Sequence, residues 1–205
     1  MSKIYPALIL FLTAALQAET GAPIIEEKFE SPELGQKWHI NYGSWTIEDG
    51  ILKTKQRKAD NHAAAARFSV ATGDAVYSIR FRFTEAGEAF HLGFDPAKGE
   101  LQKKGHLFSI IIKPDSWSIM KHLDKNKPKD DPNEIIAEAN TDFKKGTWYS
   151  LQVTTTGNSV LAEIDGKKSL QGSHATFAVK KPTVVLRTIG DGVDLDDLKV
   201  WKTKN

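Results

Sequence analysis

The chain reads as an all-β protein, a jelly-roll sandwich of two antiparallel sheets, and three observations say so. Apolar residues recur at every second position in several separate stretches, the period of strands with one face on a core. Asp-Gly pairs sit between such stretches, where a two-residue hairpin needs them. Segments with helical periodicity are few and short. Many short strands divided by Gly, Pro and Asp turns form two packed sheets rather than a parallel, helix-covered one.

Taken in order, residues 1–18 stand apart. A short positive start with Lys3 leads into an apolar run over 4–16, and Ala18 precedes the polar Glu19-Thr20. This is the pattern of a secretory signal peptide, too short to span a membrane well. The expected division is therefore 1–18 signal peptide and 19–205 a single sandwich domain, exported to a periplasm or outside the cell. Ile25, Glu27 and Phe29 share a parity and predict a first strand. Trp45-Thr46-Ile47 and Ile51-Leu52 flank Glu48-Asp49-Gly50, a hairpin. Residues 61–67, with four consecutive alanines, are a weak helix signal. Tyr77, Ile79, Phe81 and Phe83 alternate with Ser78, Arg80 and Arg82 in a strand whose arginines face away from the core. Phe108, Ile110 and Ile112 form another, turning through Lys113-Pro114-Asp115 into Trp117-Ser118-Ile119. Residues 121–132 read as a solvated loop, and 132–139 as one or two helical turns behind a cap at Asn133. Tyr149, Leu151, Val153 and Thr155 start the next strand; Val160, Ala162 and Ile164 run into Asp165-Gly166, a second hairpin. In the last strand Leu198 and Val200 face the core, which puts Asp196 inward by parity.

Composition narrows the function. With 28 Lys+Arg against 26 Asp+Glu, the net charge of +2 lacks the basic excess of a nucleic-acid binder. No cysteine is present, which removes disulfides, zinc–cysteine sites and thiol nucleophiles. Once the signal peptide is cut, no membrane segment is expected. A two-carboxylate glycosidase is the first enzyme class to test. Glu163-Ile164-Asp165 has the alternate acids of family 16 glycoside hydrolases, but Gly166 and Lys167 stand where a third acid belongs. The segment is better explained as a strand ending in a turn. The six histidines show no metal-ligand spacing. Small residues around His62, His106 and His174 would let a ligand approach, and a neutral imidazole suits a general base. Arg80 and Arg82 offer forks for polyols or carboxylates, and Trp117 a face for a sugar ring. Glu27 and Asp196 are polar members of core-facing parities. Either hydrogen bonds or a structural Ca²⁺ would compensate them; no cofactor is needed for catalysis.

Phe29-Glu30-Ser31-Pro32-Glu33-Leu34-Gly35-Gln36-Lys37-Trp38 and Gly43-Ser44-Trp45-Thr46-Ile47-Glu48-Asp49-Gly50-Ile51-Leu52 resemble the opening of the concanavalin A-like 3-keto-disaccharide hydrolase domains, relatives of family 16 glycoside hydrolases. Asn61-His62-Ala63-Ala64, Gly105-His106, Gly146-Thr147-Trp148-Tyr149, Gly172-Ser173-His174-Ala175-Thr176 and Leu195-Asp196-Asp197-Leu198-Lys199-Val200-Trp201 continue the likeness over nearly all of residues 19–205. It lapses at His91-Leu92-Gly93-Phe94-Asp95. The resemblance implies cleavage of a glycoside oxidised at carbon 3, where a base removes the acidified C2 proton. His106 or His174 would be the base, and Arg82 or Lys113 would steady the developing charge. His62, Arg80, His91 and Trp117 would contact the saccharide, the one partner expected. The alternative classes are a non-catalytic, lectin-like glycan-binding module and a structural domain without a ligand.

Overall fold

The computed structural model describes residues 21–203. The signal peptide expected over 1–18 lies outside the described residues. Fifteen strands are present: β1 (Ile25–Glu27), β2 (Trp38–Tyr42), β3 (Ser44–Glu48), β4 (Ile51–Lys55), β5 (Ala64–Thr72), β6 (Ala75–Phe83), β7 (Gly87–Asp95), β8 (Phe108–Lys113), β9 (Ser116–Lys121), β10 (Glu134–Asn140), β11 (Tyr149–Thr156), β12 (Ser159–Ile164), β13 (Lys168–Ser173), β14 (Lys181–Gly190) and β15 (Val193–Lys202). Only two short 3₁₀ turns, Lys58–Asp60 and Ala175–Phe177, interrupt them among the described residues. One sheet has eight strands in the order β13-β12-β11-β6-β15-β4-β3, with β1 added on β15. The other has seven, in the order β10-β9-β8-β7-β14-β5-β2. Every pairing is antiparallel, so this is the expected all-β sandwich, and its first and last strands pair.

Alternation explains which residues the sheets press together. Tyr77, Ile79, Phe81 and Phe83 from β6 meet Phe90, Leu92 and Phe94 from β7, all fully buried. Phe81 sits among the rings of Phe83, Phe90, Phe143 and Tyr149, at centroid distances of 5.5–5.9 Å. Both expected hairpins form. Asp49 and Gly50 have φ of 53° and 73°, and Asp165 and Gly166 of 52° and 61°. Left-handed backbone at both central residues matches the twist of the flanking strands, and Asp and Gly tolerate it.

Four local expectations are corrected. Residues 61–67 do not form a helix; Ala64 opens β5, which lies between β2 and β14 and has Ala64, Ala65 and Ala66 all buried. Alanine is chosen here for size. A Cβ on Gly43 would lie 2.3 Å from Ala64 Cβ, so neighbouring backbone leaves no room for more. Residues 132–139 are mostly β10, an edge strand whose register shifts between Ile135 and Ala137. Residues 121–132 are not simply solvated. Lys121 and Asp124 are buried, the Lys121 ammonium donates to Asp131 and Pro132 O, and Asp124 accepts from the Lys104 and Asn126 amides. Finally, Asp196 does not point inward. Asp197 adopts φ of 53° in a bulge that shifts the β15–β6 register between Asp196 and Lys199. The extra residue reverses parity, so Val193 and Leu195 face the core before it and Leu198 and Val200 after it.

Candidate functional site

The outer face of the seven-stranded sheet gathers titratable side chains by register alone. One row crosses all seven strands: Tyr42, Ala65, Arg187, His91, Ile111, Ser118 and Glu138. The next, two residues along, is His39, Arg67, Val185, Gly93, Ser109, Met120 and Ile135. Beyond it Asp95 pairs with Thr183. His91 is only 8% exposed although it faces away from the core.

Two connections bring further groups to this face. Residues 96–107 deliver His106, and the segment after β9 delivers His122. They are laced together by Lys104 and Lys125 backbone bonds and by the Lys103 ammonium, which donates to His122 O. The imidazoles of His106 and His122 lie 5.4 Å apart, edge to face. His106 Nδ1 bonds Asp95 Oδ1, while Asp95 Oδ2 accepts from Arg67 Nε at 2.9 Å and Thr183 Oγ1 at 3.2 Å. Arg67 is held in turn by Asn41 Oδ1 at 2.5 Å. His122 Nε2 bonds Ser109 Oγ at 2.7 Å. Gly93 makes that bond sterically available, since a Cβ there would stand 2.6 Å from Ser109 Oγ.

The charges are set by burial. Desolvation, helped by the charges of Arg187, Lys113 and His106, pushes His91 down to about 4. Burial, with the charges of His106 and His91, pushes His122 down to about 3. Both rings are therefore neutral near neutral pH. Burial would raise Asp95, but hydrogen bonds and charge from His106 and Arg67 outweigh it and hold the carboxyl below its usual range. Arg187 is drawn down by burial alone, and its buried Nε has no hydrogen-bond partner.

Of the residues singled out in the sequence, His91 and His106 belong to this cluster, and Lys113 ends β8 with its charge felt at His91. His62 is at the edge of the same sheet, its ring stacked on Tyr42 at 4.2 Å. The others lie elsewhere. Trp117 is 2% exposed and points into the core, because it shares the parity of Ile119 on β9. Arg80 and Arg82 do face outward, but from the eight-stranded sheet, where they pair with Asp196 and Asp194 and lie 4.8 and 4.7 Å from the Trp148 ring. His174 follows edge strand β13 and caps the 3₁₀ turn, its Nδ1 accepting from Thr176 N at 3.2 Å. Glu27 accepts from Phe29 N at 3.0 Å and Trp38 Nε1 at 3.5 Å, whereas Asp196 is bound by Arg80 at 3.2 Å. These two carboxylates thus have separate protein partners. Among the described residues no three His, Cys, Asp or Glu side chains gather as a metal site.

Asp95, Arg67, Arg187 and His122 were not legible as site residues. The available signals were weak: Asp95 is an even number of places from His91 on one strand, and Arg187 interrupts the apolar run 184–189. Two open clefts of about 690 and 640 Å³ lie away from the histidines, one lined by Pro114, Asp115 and 140–145, the other by 71–74, Ala97, 180–182, Lys202 and Thr203.

No family model and no curated protein matches the chain. Solved structures do. The carbohydrate-binding module CBM66 from Bacillus subtilis aligns with a TM-score of 0.64 at 13% identity, over 81% of this chain and 96% of that one. SCLam, a non-specific endo-β-1,3(4)-glucanase from family GH16, aligns at 0.65 and 11%, over 91% and 95%. A Bacillus subtilis protein of galectin-like fold aligns at 0.65 and 12%, over 90% and 97%. At such identities the likeness is one of fold: the chain is a concanavalin A-like jelly-roll sandwich, an architecture it shares with binding modules and glucanases alike.

Proposed function

We propose that the chain is an exported saccharide-active protein that cleaves 3-keto-glycosides by general-base chemistry on the outer face of the seven-stranded sheet. The observation that carries the reading is the Asp95–His106 pair. A carboxylate on Nδ1 fixes the proton there and leaves Nε2 as a free base, oriented by a residue that Arg67 and Thr183 hold in turn. His106 takes the C2 proton next to the ketone, and the electrons pass to the C3 oxygen as an enolate. When the carbonyl reforms, the C1–O bond to the departing sugar breaks and a C1–C2 double bond forms. The proton returns from His106 to the leaving oxygen, and water adding across the double bond completes hydrolysis. His91, kept neutral by burial, is an N–H donor for the enolate, and Lys113 adds positive charge at the rim.

A two-carboxylate mechanism fits poorly. Asp95 is occupied by His106, Arg67 and Thr183, and Glu138 lies three strands away on β10. Strand spacing alone makes that at least about 14 Å, and Glu138 shares the row of His91, four residues from Asp95 along β7. The two therefore lie beyond the ~5–9.5 Å that glycosidase pairs need. The carbohydrate-related names of the structural neighbours support a saccharide ligand without choosing between catalysis and binding. One observation favours a binding module instead: Tyr42 is 41% exposed and braced against His62, a ready platform for a sugar ring.

The deciding experiment is turnover of a 3-keto nitrophenyl glucoside beside its unoxidised parent, with His106→Ala and His174→Ala. Cleavage of the keto form alone, lost in His106→Ala and kept in His174→Ala, is the expected result. Binding of glycans without turnover of either form would leave the lectin-like reading.

A further inference from the structure

The chain has five arginines, and four have a carboxylate partner: Arg57 with Asp60, Arg67 with Asp95, Arg80 with Asp196, Arg82 with Asp194. Arg187 is the exception. No described carboxylate lies within salt-bridge distance of it, and its Nε is buried with no partner. Its surroundings are cationic or neutral: His91 beside it in the row, His122, and Ala65 on the other side. Its charge is felt at both His91 and His122. A half-buried guanidinium left without a counter-charge costs stability, and a fold that has paired every other arginine has left this one without a carboxylate on the outer face of the seven-stranded sheet. A planar fork without a protein partner is the complement of a carboxylate, and only the small side chain of Ala65 stands between it and Tyr42 in the row.

We infer that Arg187 is the seat of a carboxylate carried by the sugar, so that the ligand of this face is an acidic, uronate-type saccharide. The inference rests on this face being the saccharide site, as proposed above, and extends it from a reaction to a substrate class. Arg187 is a specificity determinant, and Tyr42, two strands away, faces the neighbouring ring.

Binding separates this from the reaction. Unoxidised glucuronate- and galacturonate-containing disaccharides are titrated by calorimetry beside their neutral glucose and galactose counterparts, against wild type, Arg187→Gln and Arg187→Lys. One charge-assisted fork predicts that an acidic ligand binds at least about tenfold tighter than its neutral counterpart. Arg187→Gln should erase the difference and Arg187→Lys keep part of it. Because the arginine has no protein partner to abandon, the melting temperature of Arg187→Gln should not fall. Equal affinity for acidic and neutral ligands in wild type, or a preference that survives Arg187→Gln, overturns the inference. So does an Arg187→Gln defect that is the same for acidic and neutral keto substrates, which would make the residue a stabiliser of the enolate. Keto turnover without acid preference leaves the reaction standing and removes this inference; acid preference without keto turnover does the reverse.

Discussion

Asp95→Asn tests the base assignment more sharply than deleting the histidine, because the structure states which atom each partner uses. Oδ2 receives Arg67 Nε and Thr183 Oγ1, and Oδ1 faces His106 Nδ1. An asparagine that keeps its oxygen toward Arg67 and Thr183 must turn its NH₂ toward His106. Nδ1 then accepts, and the ring proton moves to Nε2, the atom that has to be bare to remove the C2 proton. The structural loss is modest: one charge-assisted bond becomes neutral and a partly exposed ion pair with Arg67 disappears, about 1–2 kcal/mol. For a domain of this size that lowers the melting temperature by roughly 2–8 °C. The kinetic loss is far larger, on the order of 10²–10⁴ in kcat, as expected for an inverted tautomer. The assay pairs keto-glycoside turnover with thermal melts on the same preparation, at a temperature where both proteins are folded. Turnover within tenfold of wild type would sink the idea that Asp95 orients a histidine base. A melting temperature lowered by much more than 10 °C would mean instead that Asp95 mainly holds the two connections in place.

Three other outcomes follow from the same geometry. His91 has a folded-state pKa of about 4 against an ordinary 6.5, so the unfolded chain binds the proton first. Its contribution is complete above pH 6.5 and is lost as pH falls toward 4, about 3 kcal/mol by linkage. His122, at about 3, adds to the same acid side. Denaturant melts across pH 4–7 should show the slope, and His91→Gln should flatten it; identical slopes would refute the account. Arg82→Ala strands Asp194, whose side chain is 8% exposed, and should cost about 2–3 kcal/mol while leaving turnover unchanged. The double variant with Asp194→Ala should recover part of that loss, and failure to do so would show the pair is not the cause. Gly43→Ala should destabilise by about 3 kcal/mol or more. Its φ is 81°, and the new Cβ would stand 2.3 Å from Ala64 Cβ and 2.8 Å from Lys55 O. Unchanged stability in urea would mean that β2 and β5 can separate at little cost.

The sandwich was legible because its cause is local. Period-two burial and Asp-Gly turns are properties of neighbouring residues, and they located β6, β8, β9, β11, β12 and two hairpins. Local signals failed where a distant contact chose the conformation. The alanines of β5 are a strand because the sheet on either side needs small residues, and intrinsic helix preference yields to that. Asp196 faces outward because one left-handed residue, Asp197, inserts a bulge that parity counting cannot see. The candidate site is tertiary almost throughout. His106 and Asp95 are eleven residues apart in the chain, but Arg67 joins them across 28 and Arg187 arrives from a strand far along the sequence. The sequence by itself determined the alternation that makes two sheets, the turns that reverse them, and which residue types were on hand for chemistry. Strand order decided which of those residues meet. It placed β14 between β5 and β7, and so put an unpaired arginine beside a neutral histidine, because register is set by the burial of the opposite face.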